Sequence, residues 1–155
     1  MRVFIAGVIQ GGLADESIHD QGYRVAIAEM IGSLYADAEI VDPHAENLDR
    51  LSWSREQKSE MFLRYAAEAA RCDVLVAWLP QPSMGTAVEM YQAHLADVPV
   101  LAVSPLHDNW TIFSLATRVF PDLAALASFL SGAEFRQWID PAGRVAMTNG
   151  KRGHV

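Results

Sequence analysis

The order of apolar runs and helical patterns predicts an α/β fold: a single flavodoxin-like or Rossmann-like domain with a five-stranded, mainly parallel sheet and helices on both faces. Three observations carry the prediction. Apolar runs at Val3–Val8, Val74–Leu79 and Val98–Val103 read as strands buried on both sides. Between them, apolar residues recur at helical spacing, as in Tyr23, Ile27, Met30, Ile31 and Leu34. The length, 155 residues without internal repeat or low-complexity segment, suits one domain with a substantial core.

Taken in order, Val3–Val8 is the first strand and ends in the glycine-containing turn Gly7–Gly12. His19 or Asp20 precedes the first helix. Glu39–Asp42 is a short second strand, stopped by Pro43. A polar loop leads to a helix from about Ser54 to Arg71 that carries Met61, Phe62, Tyr65 and an alanine-rich face. Asp73–Leu79 is the third strand, Met84–Ala96 the next helix and Val98–Val103 the fourth strand. Pro105–Asn109 reads as a loop and helix cap before a short helix over Thr111–Ala116. Arg118–Phe120 is a brief fifth strand, and Pro121 and Asp122 open a last helix that ends near Gly132. The domain is thus expected over residues 1–134, with 135–155 as a C-terminal extension. From Pro141 onward Gly143, Gly150, Lys151, Arg152 and Gly153 appear without periodicity, which suggests a partly mobile tail.

Composition narrows the function. A net charge of −7 argues against nucleic-acid polymers as partners but permits a small anion held by backbone N–H groups and an arginine. Cys72 is the single cysteine, so neither an internal disulfide nor a cysteine metal cluster can form. His44, His94 and His107 lack metal-ligand spacing, and no metal or organic cofactor is expected. The strand that starts at the N-terminus leaves no room for a signal peptide, and no apolar run reaches membrane-spanning length. A soluble cytoplasmic protein that meets no membrane is the expectation.

Parallel sheets bind ligands at the carboxyl ends of their strands. Three segments reach that edge: Gly7–Gly12, Pro80–Glu89 and Ser104–Trp110. Each alone is explained by turn chemistry, whereas all three together point to a pocket. The glycine loop has neither the dinucleotide spacing nor the P-loop Gly-Lys-Ser/Thr, but its glycines let backbone approach a ligand. Glu89 follows the turn Gln81-Pro82-Ser83-Met84-Gly85-Thr86 and falls in the first helical turns. Two roles fit it, a complement to the helix dipole or a nucleophile. Ser83, Thr86 and the N–H groups of the turn could hold a sugar hydroxyl or phosphate oxygens. Trp53, Trp78 and Trp110 could stack on a base, although a core position suits Trp78 better. Tyr23 and Asp20 could contact sugar or serve as core residue and cap.

The pattern from Cys72 through Leu79, then Gln81–Thr86, then Glu89 and Ala93, resembles the nucleoside 2-deoxyribosyltransferase superfamily. Its Gln-Pro-Ser-x-Gly wording is most similar to the 2′-deoxynucleoside 5′-phosphate N-hydrolases. Phe4-Ile5-Ala6-Gly7 with Gly11-Gly12 is similar to that family's first strand and loop. The resemblance implies cleavage of an N-glycosidic bond in a nucleoside or nucleoside monophosphate, by hydrolysis or by transfer to a second base. It makes Glu89 the nucleophile that forms a glycosyl-enzyme intermediate. It gives Ser83 and Gly85 the 5′ end of the substrate, and it places Asn109 in a loop that reaches a neighbouring subunit, which implies a homodimer or higher homo-oligomer.

Two positions depart from the family. Tyr65 stands where an aspartate eight residues before Asp73 assists proton transfer, leaving Glu60 or Glu68 as substitutes. Pairing with Arg71 is the simpler role for Glu68. Gln10 stands where the phosphohydrolases have an arginine, and Arg24 could compensate. The candidate set is therefore Glu89 with Glu60 for catalysis, and Gly7, Gln10, Gly11, Gly12, Tyr23, Ser83, Gly85, Thr86, Asn109 and Trp110 for substrate. A noncatalytic nucleotide-binding or sensor domain, or a protein-interaction module, would be the alternatives.

Overall fold

Strand β1 (Arg2–Gly7) sends Val3 and Ile5 to one face of a sheet and Phe4 and Ala6 to the other, and all four are buried. That double burial needs a layer of helices on each side. In a computed structural model describing residues 1–10, 18–49 and 52–139, the remaining elements supply it. They are α1 (Gly22–Leu34), β2 (Glu39–Val41), α2 (Arg55–Ala69), β3 (Val74–Trp78), α3 (Met84–Leu95), β4 (Val100–Val103), α4 (Trp110–Leu115), β5 (Arg118–Phe120), α5 (Leu123–Ser131) and α6 (Ala133–Ile139). The five strands are all parallel in the order β2-β1-β3-β4-β5. Helices α2, α3 and α4 cover the Phe4 face, and α1, α5 and α6 cover the Ile5 face. This is the doubly wound α/β arrangement expected.

Ser54 caps α2 in a reciprocal box with Gln57, Asn109 caps α4 and Asp122 caps α5, each at the expected start. Helix α1 differs: Gln21 is its N-cap and makes no side-chain cap bond, while the Asp20 carboxylate accepts from the Gly22 N–H at 3.3 Å.

The end of the described chain also differs. Gly132 does stop α5, but the chain turns and starts α6 at once. Phe135 is 1% exposed and packs edge-on against Tyr35 and Phe129, and Trp138 packs on Phe129. The segment read as an extension from residue 135 therefore begins inside the core. The tail from Pro141 lies outside the described residues.

Three alanines decide how near α3 lies to the sheet. Ala6 pairs with Ala77 and Ala77 with Ala102 in register, forming a row across β1, β3 and β4 on the α3 face. Met90 and Ala93 of α3 join the same cluster and are fully buried. Small side chains let a helix settle close, and protein interiors are packed too densely to admit a larger one. Ala77→Leu is expected to destabilise the fold by about 1–3 kcal/mol through overpacking. Urea unfolding measures this, and an unchanged midpoint would contradict the packing described.

Candidate functional site

The sheet order reverses between β1 and β3, so the chains leaving these strands diverge and open a crevice at their carboxyl ends. Gly7 and Trp78 form the last registered pair before it. Gln81 Nε2 lies 2.8 Å from His19 Nε2, linking the segment after β3 to the segment before α1. His19 N–H donates to the Ile9 carbonyl at 2.8 Å, which ties the outgoing strand to the same link.

Helix α3 starts at this crevice. Ser83 is its N-cap: Oγ accepts from Thr86 N–H at 3.3 Å and from the Thr86 hydroxyl at 3.0 Å. Thr86 is buried and fixes the cap, and the Ser83 hydroxyl proton stays available to a ligand. The N–H groups of Met84 and Gly85 have no acceptor within the helix, as first-turn donors do not. A Cβ on Gly85 would meet only Phe62 at 3.6 Å, an ordinary contact, so packing alone does not demand glycine there.

One turn on from Gly85 and on the same side of α3 is Glu89. Part of the residue reaches the surface, yet protein surrounds its carboxyl, which has no hydrogen-bond partner among the described residues. Burial pushes this carboxyl up to about 8; the Arg24 guanidinium opposes the rise and the Asp42 carboxylate adds to it. Near neutral pH the group is therefore largely protonated.

Arg24 is 2% exposed, and its burial follows from the sheet. Glu39 N–H donates to the Met1 carbonyl at 2.9 Å, and β2 then runs in register with β1 from Arg2 to Phe4. Continuing the ladder by steps of two would bring residue 43 to the Ile5 carbonyl, but Pro43 has no N–H. Arg24 supplies the missing donors: Nη1 reaches Ile5 O at 2.8 Å and Nη2 reaches Gly7 O at 3.2 Å. Nη1 also donates to Asp42 Oδ1 at 2.8 Å, and Nε to Gln21 Oε1 at 2.7 Å. This guanidinium is engaged within the fold and does not present a free fork to phosphate in place of the family arginine at Gln10. Gln10 itself is exposed in the turn after β1.

Tyr23 occupies the space that Gly7 leaves. A Cβ on Gly7 would collide with the Tyr23 hydroxyl and ring. Tyr23 stacks on Trp78 with ring centroids 5.6 Å apart, and its O–H donates to Val8 O at 3.3 Å. Burial pushes its phenol up to about 12, with Glu89 a lesser contributor, so it remains a neutral donor. Trp78 and Tyr23 also line a concavity of about 260 Å³ with His19, Asp20 and Gln81.

Glu60, Glu68 and Tyr65 lie apart from this group. Glu60 is exposed and lines a separate concavity of about 220 Å³ with Trp53, Gln57, Met61 and Arg64. It is not among the groups that act electrostatically on Glu89. Glu68 bonds Arg71 at 2.7 Å and Arg2 at 3.4 Å, the pairing role foreseen. Tyr65 is buried, and its hydroxyl donates to Glu46 Oε2 at 2.6 Å while accepting from Asn47 and Arg64 at 2.8 Å. Asn109 Oδ1 accepts from the Thr111 and Ile112 N–H groups, leaving its amide N–H free of that duty. Asn109 and Ser83 line one concavity of about 270 Å³ with Pro82, Met84 and Thr111, while Trp110 beside it is 80% exposed. Gly11 and Gly12 lie outside the described residues.

Sequence reasoning missed the Arg24–Asp42 pair and the structural task of Arg24. A signal existed: Arg24, Ile27 and Ile31 share the buried stripe of α1, and a cation on a core stripe demands a partner.

Fold and site together define a doubly wound α/β protein whose third helix, starting at the switch-point crevice, carries a carboxyl with no hydrogen-bond partner among the described residues. The fold is that of a 2-deoxyribosyltransferase from the psychrotolerant bacterium Bacillus psychrosaccharolyticus, a biocatalyst for nucleoside synthesis. The two share 17% identity over 89% of this chain and 96% of that one, with a TM-score of 0.64. A conserved protein from Enterococcus faecalis V583 is 20% identical, over 83% of this chain and 95% of that one, with a TM-score of 0.59. Neither a protein-family model nor a curated protein sequence matches the chain. Among the described residues, no helix is long and apolar enough to cross a membrane.

The raised position of Glu89 has a measurable sign. Between the ordinary carboxylate range and about 8, the folded protein holds a proton that the unfolded chain has released. The stability tied to that proton is complete below the unfolded value and is lost as pH rises through about 8. Glu89→Gln should therefore gain Tm relative to the wild type between pH 5 and pH 9, on the order of 2–4 °C per kcal/mol. Thermal unfolding across that range checks it, and a pH-independent difference would refute the burial argument.

Proposed function

We propose that the protein cleaves the N-glycosidic bond of a nucleoside or nucleoside 5′-monophosphate, as an N-hydrolase or a deoxyribosyltransferase. The observation that carries this reading is Glu89 itself: a carboxylate with no hydrogen-bond partner among the described residues, on the helix that opens at the crevice. A side chain kept for the helix dipole belongs in the first turn, and Glu89 lies beyond the first turn of α3. A nucleophile gains reactivity from burial, because a desolvated carboxylate attacks a developing oxocarbenium centre more strongly.

In this mechanism the Glu89 carboxylate attacks the anomeric carbon and forms an ester to it as the bond to the base breaks, and the departing base takes its proton from solvent water. Water then attacks the same carbon, loses a proton to solvent and frees the carboxylate with release of the sugar, or a nitrogen of a second base attacks in its place, loses its proton to solvent and takes the sugar. Ser83 and the N–H groups of Met84 and Gly85 bind the 5′ end, which their place at the start of a 12-residue helix favours. Asn109, on the same concavity as Ser83, contacts the ligand from the opposite wall or from a neighbouring copy. The proposed setting is the cytoplasm.

Incubation with a panel of nucleosides and 5′-monophosphates, following free base by chromatography, tests the reading. Glu89→Ala should lower turnover by roughly three orders of magnitude or more. The rate at low substrate should rise with pH through about 8, as Glu89 ionises. No base from any substrate would favour a noncatalytic nucleotide-binding domain instead.

A homodimer is part of the proposal. Met84, Val88, Tyr91 and Leu95 form a solvent-facing apolar stripe along α3 at helical spacing, flanked by Trp110 and Phe113 on α4. Contiguous apolar surface of this kind supports a second copy as its cover. Light scattering should give the dimer mass for the wild type and the monomer mass for Tyr91→Glu with unchanged circular dichroism. A monomeric wild type would remove this part.

A further inference from the structure

We propose that the concavity between α3 and α4 receives an uncharged, apolar 5′ substituent, which makes the preferred substrate a 5′-deoxy or 5′-alkylthio nucleoside and not a 5′-monophosphate. This rests on the reading of the protein as an N-glycosidase with Ser83 at the 5′ end, and it narrows the substrate of that same site.

Ser83 stands at the junction: it caps the helix that carries Glu89, and it lines the concavity of about 270 Å³. A sugar whose 5′ carbon lies at Ser83 therefore sends its substituent between α3 and α4. The floor it meets there is Leu79, Ala87, Met90 and Ile112. Leu79, Met90 and Ile112 are no more than 3% exposed, so the core itself surfaces at the bottom. Leu79 offers no spare main-chain group either, because its N–H donates to Val103 O at 2.9 Å and its carbonyl accepts from Ser104 Oγ at 2.6 Å.

None of the lining residues carries a charge. The polar ones, Ser83, Asn109 and Thr111, are neutral, and Ser83 Oγ and Asn109 Oδ1 are engaged as helix caps. A phosphate dianion set against this floor would lose water with no cation to replace it. The first-turn N–H groups of α3 supply only a partial positive charge. Arg24 cannot help, since it is spent on Ile5 O, Gly7 O, Gln21 and Asp42. A net charge of −7 further opposes an approaching dianion. An apolar group gains from each contact instead, and the flexible Met84 and Met90 side chains adapt to its shape. Size agrees: the volume is several times the ~30 Å³ share of one water, and the floor gives water few partners.

The test uses the full chain with nucleosides of the common bases, in ribo and 2′-deoxy form, each bearing a 5′-hydroxyl, 5′-phosphate or 5′-methylthio group. Free base is followed by chromatography. Binding is followed by NMR of the carbon-13-labelled methionine methyls, with Met90→Leu to identify the Met90 resonance. For the best base, kcat/KM should rise by ~10-fold or more from 5′-hydroxyl to 5′-methylthio, as added apolar groups do in an apolar pocket. The 5′-phosphate should be the slowest, and the methylthio compound should move the Met90 resonance. Ala87→Leu, which fills the floor, should erase the methylthio advantage, and Thr111→Lys, which supplies a cation at the rim, should shift preference toward the 5′-phosphate. A wild type that prefers the 5′-phosphate, or treats hydroxyl and methylthio alike, overturns the inference and leaves the glycosidase activity standing. A Met90 resonance unmoved at saturating methylthio compound also overturns it, as when a second copy fills the concavity. Movement of that resonance with no base from any compound would keep the pocket assignment and sink the proposed activity.

Discussion

Two carbonyl groups at the end of β1 constrain the whole upper half of this molecule. Once Pro43 ends the β2 ladder, the Ile5 and Gly7 carbonyls face an edge with no strand to answer them. An unpaired buried carbonyl costs about as much as a lost hydrogen bond, so a donor must come from elsewhere. Arg24 comes from α1 and answers both. That choice fixes the entry of α1, requires Asp42 as counter-charge, and draws Gln21 into the same cluster. A buried cation lacking its partner would cost several kcal/mol by itself, about 3–5 for pairs of this type.

The solution has an electrostatic side effect. A strand partner would have filled the edge with neutral amides, whereas an arginine fills it with charge. The charge sits at the carboxyl end of β1, and α3, which packs against that strand, carries Glu89, a group satisfied by no hydrogen bond among the described residues. Folded proteins pair their buried polar groups almost everywhere, and exceptions concentrate where chemistry or binding needs them. Ser83 and Thr86 show the contrast, since each is bonded to the other and serves the helix start.

Much of this architecture was legible along the chain because its causes are local. Val3–Val8 and Asp73–Leu79 announce buried strands, and Asn109 and Asp122 announce helix starts through short side chains that bond the next turn. Glu89 was legible from its place after a strand and a Ser/Gly turn. What stayed hidden depends on contacts distant in sequence. Arg24 and Asp42 are 18 residues apart, and nothing local to either reveals the pairing. Helix α6 was hidden for the opposite reason: Gly132 is a true stop signal, but the chain resumes a helix directly after it to bury Phe135. Glu60 was chosen for its helix and not its face, and the structure turns it to a separate concavity.

The shortness of the outermost strands carries a consequence for how copies of this chain can meet. Both border strands, β2 and β5, have only three residues, so each offers a brief rim of unpaired backbone. A rim that short gives an incoming strand almost no template, which guards against edge-to-edge aggregation and disfavours growth of one continuous sheet across two molecules. Recognition between protomers is left to side chains on the helical layers, where shape and composition, and not backbone pairing, select the partner.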